Sequence, residues 1–424
     1  MAQFKWWLGV VSAVGLAGAC SSDPSTGSPS AQAGASAAGA SAAGASGAAV
    51  GGASTAGGGG ASGGAAPATC TPACGAEQVC LGTTCRPKPV ELARVDACGN
   101  MNLALSKGTL YFTDSAHGNV KSIPVTGGTA TDIATQQKAP YAIAVDDAGV
   151  VYWTNSSATT SADNTLMMKA PAGTPTKITD VSQANANPTN IAKSLALDGK
   201  GSLFYAAGSD LLKVETKAAA TPLKLGTFSG LPVAIVLTPA PPASTTRVFT
   251  TLANANAVEW RNPDPANSGC TDPITRPEAP MGETPEQKTV RVNGSGCSFS
   301  QSVGNLLFDA LSLSGTNVVF ADRSSIQIAD TTVPGTMQSK RTQVAETESF
   351  DPISGLATTV TTVYFGESST GIIEKAALPK GAPEILVEDP AQISPSSFVT
   401  DGTNLYWRTG AQASDACAIM KLSL

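Results

Sequence analysis

The chain holds one histidine in 424 residues, 14% charged side chains and 5% aromatics. A single imidazole excludes a His-rich metal centre, and the charged share lies well below the roughly one quarter usual for soluble domains. The longest basic cluster is Lys340-Arg341 and the net charge is −6, so nothing supports phosphate neutralisation, and a nucleic-acid partner is excluded. No G-x-S-x-G, no H-E-x-x-H and no phosphate-cradling glycine loop between a strand and a helix is present. The four glycines Gly57 to Gly60 belong to an Ala/Gly/Ser stretch instead. No Asp, Glu, Lys or Arg occurs between Asp23 and Glu77, and no aromatic residue between Trp7 and Tyr111. A segment so poor in core-forming side chains cannot offset its ordering entropy, so 21–69 is expected to be a disordered tether. As a Gly-rich coil its 49 residues would reach about 35 to 40 Å.

What precedes the tether is an address. Lys5 is followed by an apolar run of fourteen residues, Trp6 to Ala19, too short to span a bilayer comfortably but of the length of a secretory h-region. Ala17-Gly18-Ala19 fits the A-x-A cleavage rule, which leaves a secreted or periplasmic product as the alternative. With Cys20 next, the segment resembles a bacterial lipoprotein signal, although Ala17 stands where that family prefers Leu. The resemblance implies lipidation of Cys20 and, through Ser21, an outer-membrane or cell-surface location with the membrane as a partner.

Cys70, Cys74, Cys80 and Cys85 follow within sixteen residues. Their gaps of three, five and four residues lack the paired C-x₂-C knuckles of zinc sites, and export favours disulfides over thiolates. Four cysteines allow three connectivities. Analogy with small Cys-rich modules implies Cys70 with Cys80 and Cys74 with Cys85, a stalk knot over 70–86.

From 87 to 424 the sequence repeats. A small-and-large apolar strand, such as Leu103-Ala104-Leu105-Ser106 or Ile143-Ala144-Val145-Asp146, is followed by a turn and an aromatic strand. The second-strand aromatics are Phe112, Trp153, Tyr205, Phe249, Phe320, Phe365 and Trp407, separated by 41, 52, 44, 71, 45 and 42 residues. A third strand with one basic residue, such as Val120-Lys121 or Met420-Lys421, follows most copies. Three to four short strands in each unit of this length predict an all-β fold, a β-propeller of seven blades with six as the alternative. Tyr111-Phe112-Thr113-Asp114 and Tyr152-Trp153-Thr154-Asn155 resemble the repeats of YWTD and NHL-type β-propellers, which are fold-specific but serve as scaffolds, receptors and enzymes alike.

The last copy ends one strand short, and Val90 to Arg94 is available to complete it, removing two exposed edges. That closure brings the loops of Cys98 and Cys417 together, so a disulfide between them is expected. The interval of 71 holds an insertion over about 261–304 with Cys270 and Cys297, the remaining pair. It reads as a disulfide-pinned decoration, with Thr289 to Val292 as the outer strand of the fourth blade, or as a ligand-binding loop.

Catalytic residues are not evident. The polar residues after the aromatic strands, Asp114, Asn155, Asp322 and Glu367, together with His117, are the candidate ligand-binding set. A ring of such carboxylates could hold Ca²⁺, as in lactonase-like propellers, but the simpler reading ties loop backbone by hydrogen bonds and needs no cofactor or metal. Asp146, Asp198 and Asp401 are expected in tight turns, and the repeated lysines in solvent. Trp260 is read as a packing aromatic in preference to a sugar-stacking surface. These readings combine into an exported, lipid-tethered binding or scaffold module for an extracellular protein or saccharide. The alternative is a metal-dependent hydrolase or lyase using carboxylates in the central channel.

Overall fold

Alternating apolar residues in short runs, closed by Gly-, Asn- and Asp-containing turns, specify strands and hairpins throughout. In the computed structural model the described residues are 70–96, 99–156, 163–181, 195–228, 230–240, 245–252, 257–261, 297–301, 310–330, 341–347, 351–389, 394–410 and 416–424. Met1 to Thr69 lies outside them, and with it the leader, Cys20 and the expected tether. All regular elements among the described residues are strands, apart from one short 3₁₀ position. They form seven four-stranded sheets and one two-stranded sheet.

Each of the first six four-stranded sheets is a consecutive antiparallel meander. In the first, Leu103–Ser106, Thr109–Asp114, Asn119–Pro124 and Thr131–Ala134 run in that order. The seventh takes Ser396–Thr400, Asn404–Thr409 and Cys417–Ser423 from the end of the chain and Val90–Val95 from its beginning. Val95 faces Cys417 and Arg94 faces Ala418 in that pairing, which closes the propeller as the incomplete last copy requires. Cys417 is disulfide-bonded. Its expected partner Cys98 lies outside the described residues, as does Cys270.

Apolar side chains on both faces of each sheet bury themselves against the neighbouring sheets. Seven hydrophobic clusters result, one for every successive pair of sheets around the ring. The last is made by Leu92, Tyr406 and Ile419 of the seventh sheet with Leu103, Phe112 and Ile123 of the first. Trp153 packs with Val120 and Ala134 of the first sheet. Trp407 packs with Tyr364 and Ile373 of the sixth, stacked on Phe398 at 6.4 Å.

Phe249 breaks the pattern read from the sequence. It packs forward, with Leu311 and Val318 of the fifth sheet, whereas Phe112, Trp153, Tyr205, Phe365 and Trp407 each pack backward. A shift of one residue along a strand turns a side chain to the opposite face. Thr250 therefore holds the position that the aromatic holds elsewhere. A second correction concerns the outer strand of the fourth sheet, which is Cys297–Gln301, paired with Ala257–Arg261. Thr289 to Val292 lies outside the described residues, as does most of the insertion.

The lysines of the third strands do not simply extend into solvent. Lys169 Nζ donates to the Ile133 carbonyl at 2.6 Å and Lys421 Nζ to the Val125 carbonyl at 3.0 Å, each crossing to a neighbouring sheet. Lys213 lies 5.6 Å from the Phe204 ring centre. The aliphatic stems cover apolar surface while the ammonium groups bind backbone oxygen.

The cysteine-rich segment is a hairpin of Gln78–Leu81 and Thr84–Pro87, crossed by disulfides Cys70–Cys80 and Cys74–Cys85. Sulfur atoms of Cys70, Cys74 and Cys85 approach within 4.8 Å of one another. Because these sulfurs are oxidised, the thiolates a zinc site requires do not exist there.

Candidate functional site

The antiparallel meander puts the ends of the second strands and the starts of the first strands on one face of the propeller. The hairpin turns between first and second strands lie on the other. Asp114, Asn155, Asp322 and Glu367 end the second strands of the first, second, fifth and sixth sheets. Asp114 and Glu367 are 1% exposed and Asn155 5%, while Asp322 is half-buried.

Asp114 and His117 are brought together. The backbone N–H of His117 donates to Asp114 Oδ1 at 3.2 Å, and His117 Nδ1 lies 2.9 and 3.0 Å from the two carboxylate oxygens. The turn that allows this needs Gly118, at φ 66°, because a Cβ there would stand 2.5 Å from the Gln137 carbonyl oxygen. The buried carboxylate fixes the imidazole through Nδ1, and the side chain remains 47% exposed.

Each of the others ties its own neighbourhood. Asn155 Nδ2 donates to Gln137 Oε1 at 3.2 Å and to Thr165 Oγ1 at 3.1 Å, while Trp153 Nε1 donates to the same Gln137 oxygen at 3.0 Å. Gln137 thus joins the outer edge of the first sheet to the second. Glu367 Oε2 accepts from the Thr370 hydroxyl at 2.5 Å, within one loop. The Asp322 carbonyl accepts from the Ser325 hydroxyl at 3.0 Å across a two-residue turn.

Several polar residues not singled out in the sequence brace this face, most of them between sheets. Asn102 Nδ2 and the Thr113 hydroxyl both donate to the Tyr141 carbonyl at 2.9 Å, linking the first sheet to the second. The Ser397 hydroxyl meets Asn102 Oδ1 at 3.0 Å across the closure. Asp351 receives the Ser369 N–H at 2.7 Å and its hydroxyl at 2.6 Å. Arg408, 4% exposed, donates to Ser396 Oγ at 3.1 and 2.9 Å and to the Gly99 carbonyl at 3.3 Å. Thr113 and Thr154 were visible as part of the aromatic-strand motif. Arg408 carried no signal, since its partner Gly99 lies far away in the chain, and Asp351 ties two loops of the sixth sheet to each other.

No protein-family model matches the chain, and no curated protein matches it. Among solved structures it is similar to a streptogramin B lyase, with a TM-score of 0.56 and 12% identity over 79% of this chain and 97% of that one. It is likewise similar to virginiamycin B lyase from Staphylococcus aureus, with a TM-score of 0.54 and 14% identity over 80% of this chain and 98% of that one. U3-55K follows, with a TM-score of 0.52 and 13% identity over 78% of this chain and 98% of that one. At these identities the likeness is one of fold, and the fold is a β-propeller.

Proposed function

We propose that this protein is an exported surface lipoprotein, anchored through Cys20, whose propeller is a binding or scaffold module for an extracellular protein or saccharide. The observation that carries the reading is the local use of the polar groups at the second-strand ends. Asp114 holds the 114–117 loop, Asn155 joins Gln137 and Thr165, and Glu367 holds Thr370. Groups so engaged build a rigid face with outward loops, which is what a recognition surface needs, and leave little for a carboxylate metal cage. The low charge and the Ala/Gly/Ser tether fit a domain displayed at a distance from a membrane.

A second reading, a metal-dependent hydrolase or lyase of the propeller type, is favoured by one observation, the Asp114–His117 pair. An imidazole fixed by a buried carboxylate is also the arrangement of a general base. Protein and glycan arrays probed with the mature chain test the first reading. Reproducible capture of one ligand class, weakened by substitutions on the second-strand-end face, supports it. Turnover of a substrate that disappears in His117→Ala would replace it with the second.

A further inference from the structure

Where the closing sheet meets the first sheet, a crevice of 170 Å³ opens on the face of the hairpin turns. Strand pairing explains its lining. Val90 of the closing strand faces Lys421 of the C-terminal strand. Side chains alternate along a strand, so Ser423 shares a face with Lys421, and Lys88, two residues before Val90, comes to the same side. Val125 and Thr126, in the turn after the third strand of the first sheet, close the crevice from across the seam.

Two ammonium groups line this crevice and no carboxylate does. Glu91, the acid nearest to them in sequence, faces Met420 at the next pleat position and is held by Arg94. Neither Lys88 nor Lys421 is paired with an acid among the described residues. In a chain of net charge −6, two such cations in one concavity raise its local potential and attract a counter-ion. Lys421 is already pinned, since its Nζ donates to the Val125 carbonyl at 3.0 Å, and two of its three N–H groups remain. Its ordering cost is met on folding, before any ligand arrives. Lys88 is exposed, and its flexible stem can bring a second ammonium to the same point. Thr126 and Ser423 add hydroxyl donors, and the 3.5 Å contact of Ser423 Oγ with Asn404 Oδ1 is too long to hold that hydroxyl.

A compact tetrahedral oxyanion meets these terms. Its charge answers two ammonium groups and its oxygens accept in several directions. The volume is well below the roughly 300 Å³ at which sites for larger organic ligands begin. We propose that this crevice binds a phosphate group through Lys88, Lys421 and the two hydroxyls. The bound group ties the segment after the cysteine-rich hairpin, the C-terminal strand and the first sheet together across the seam, independently of whatever the other face recognises.

The test is titration of inorganic phosphate into the mature chain at constant ionic strength, followed by phosphorus NMR. Saturable binding is expected, weakened at least about tenfold in Lys88→Gln and in Lys421→Gln. Lys88→Gln breaks no side-chain bond within the protein, so it reads the site without loosening the seam. Lys200→Gln, in a turn of the third sheet on the same face, should bind as wild type does. Flotation of the Cys20→Ser chain with phosphatidylcholine vesicles, with and without phosphatidate, separates the sources of the phosphate. Flotation only with phosphatidate, lost in Lys88→Gln, assigns the site to a lipid headgroup, and saturable NMR binding without flotation assigns it to free phosphate. No saturable binding in either arm, unchanged affinity in Lys88→Gln, or an equal loss in Lys200→Gln overturns the proposal.

Discussion

Replacing Asp401 by Ala should destabilise the seventh sheet through a chain of hydrogen bonds that recurs, with one informative gap, in three turns. Asp401 Oδ1 accepts from the N–H groups of Thr403 and Asn404 at 2.8 and 2.6 Å, and Oδ2 accepts from the Tyr406 hydroxyl at 2.9 Å. Asp146 repeats this with Ala148, Val150 and the Tyr152 hydroxyl, at 2.9, 2.8 and 2.9 Å. Asp198 binds the N–H groups of Lys200 and Ser202 at 2.8 and 2.9 Å, but Phe204 stands where the tyrosine would be. The turn amides face solvent and can turn to water, so their loss should cost about 1–2 kcal/mol in every case. The tyrosines are buried, and a hydroxyl left without its acceptor adds about 1–2 kcal/mol more. Asp401→Ala and Asp146→Ala should therefore cost about 2–4 kcal/mol, and Asp198→Ala only about 1–2. Urea unfolding followed by the fluorescence of the buried Trp153 and Trp407 measures this, and a double-mutant cycle with Tyr406→Phe should return a coupling of about 1–2 kcal/mol.

The pH dependence has a definite sign. Burial opposes ionisation of Asp401, but bonds from Thr403, Asn404 and Tyr406 prevail and hold its carboxyl far below the usual range. The stabilisation is present above the unfolded value of about 3.9 and disappears as pH falls through the depressed one, so the gap between wild type and Asp401→Ala should narrow below about pH 4. The phenol of Tyr152 is pushed up to about 12 by burial and by its bond to Asp146. Its contribution is fully present below about pH 10 and is lost as pH rises from there through about 12. Equal costs for Asp198→Ala and Asp401→Ala, or a cycle with no coupling, would refute the reasoning.

Gly366→Ala should destabilise by about 1–3 kcal/mol, because the added methyl would stand 2.7 Å from both Phe398 Cζ and Pro395 Cγ, and a melting temperature equal to wild type would contradict that packing. Cys20→Ser should move the protein from the detergent phase to the aqueous phase or block its maturation, and unchanged partitioning would remove the lipid anchor from the proposal. Protein purified without added metal should contain no stoichiometric Ca²⁺, Mg²⁺ or Zn²⁺, and its melting temperature should not respond to chelator. One ion per chain, lost with stability in Asp114→Ala or Asp322→Ala, would favour the enzyme reading.

The fold was legible because its defining signal is repeated. A single Leu-Tyr-Phe stretch could be any strand, but its return after each hairpin fixes the unit; the number of units stayed at seven or six until the strands paired into seven four-stranded sheets. The strand that completes the ring was legible for a related reason, since an incomplete last copy needs a fourth strand and Val90–Val95 stands before the first. What failed was register within one copy. Phe249 and Thr250 exchange roles because the sequence shows that an aromatic is present but not which face its position presents, and only packing against Leu311 and Val318 decides that. The outer strand of the fourth sheet failed because strand-like residues at Thr289 to Val292 compete with Cys297–Gln301, and an insertion removes the spacing that would choose between them.

The candidate site was legible only in its local part. Asp114 and His117 lie three residues apart, so a turn suffices to join them. The contacts that join sheets are different in kind. Ser397 meets Asn102 across 295 positions and Arg408 meets Gly99 across 309, and no spacing rule could associate those residues before the ring closes. The Arg86–Glu384 pair belongs to the same class. A short hairpin of unremarkable composition comes to lie against the outer strand of the sixth sheet only because the strand that follows it completes the seventh. Closure therefore does two things with one segment. It covers the open edge of the ring, and it carries the Arg86 guanidinium to Glu384 of the sixth sheet.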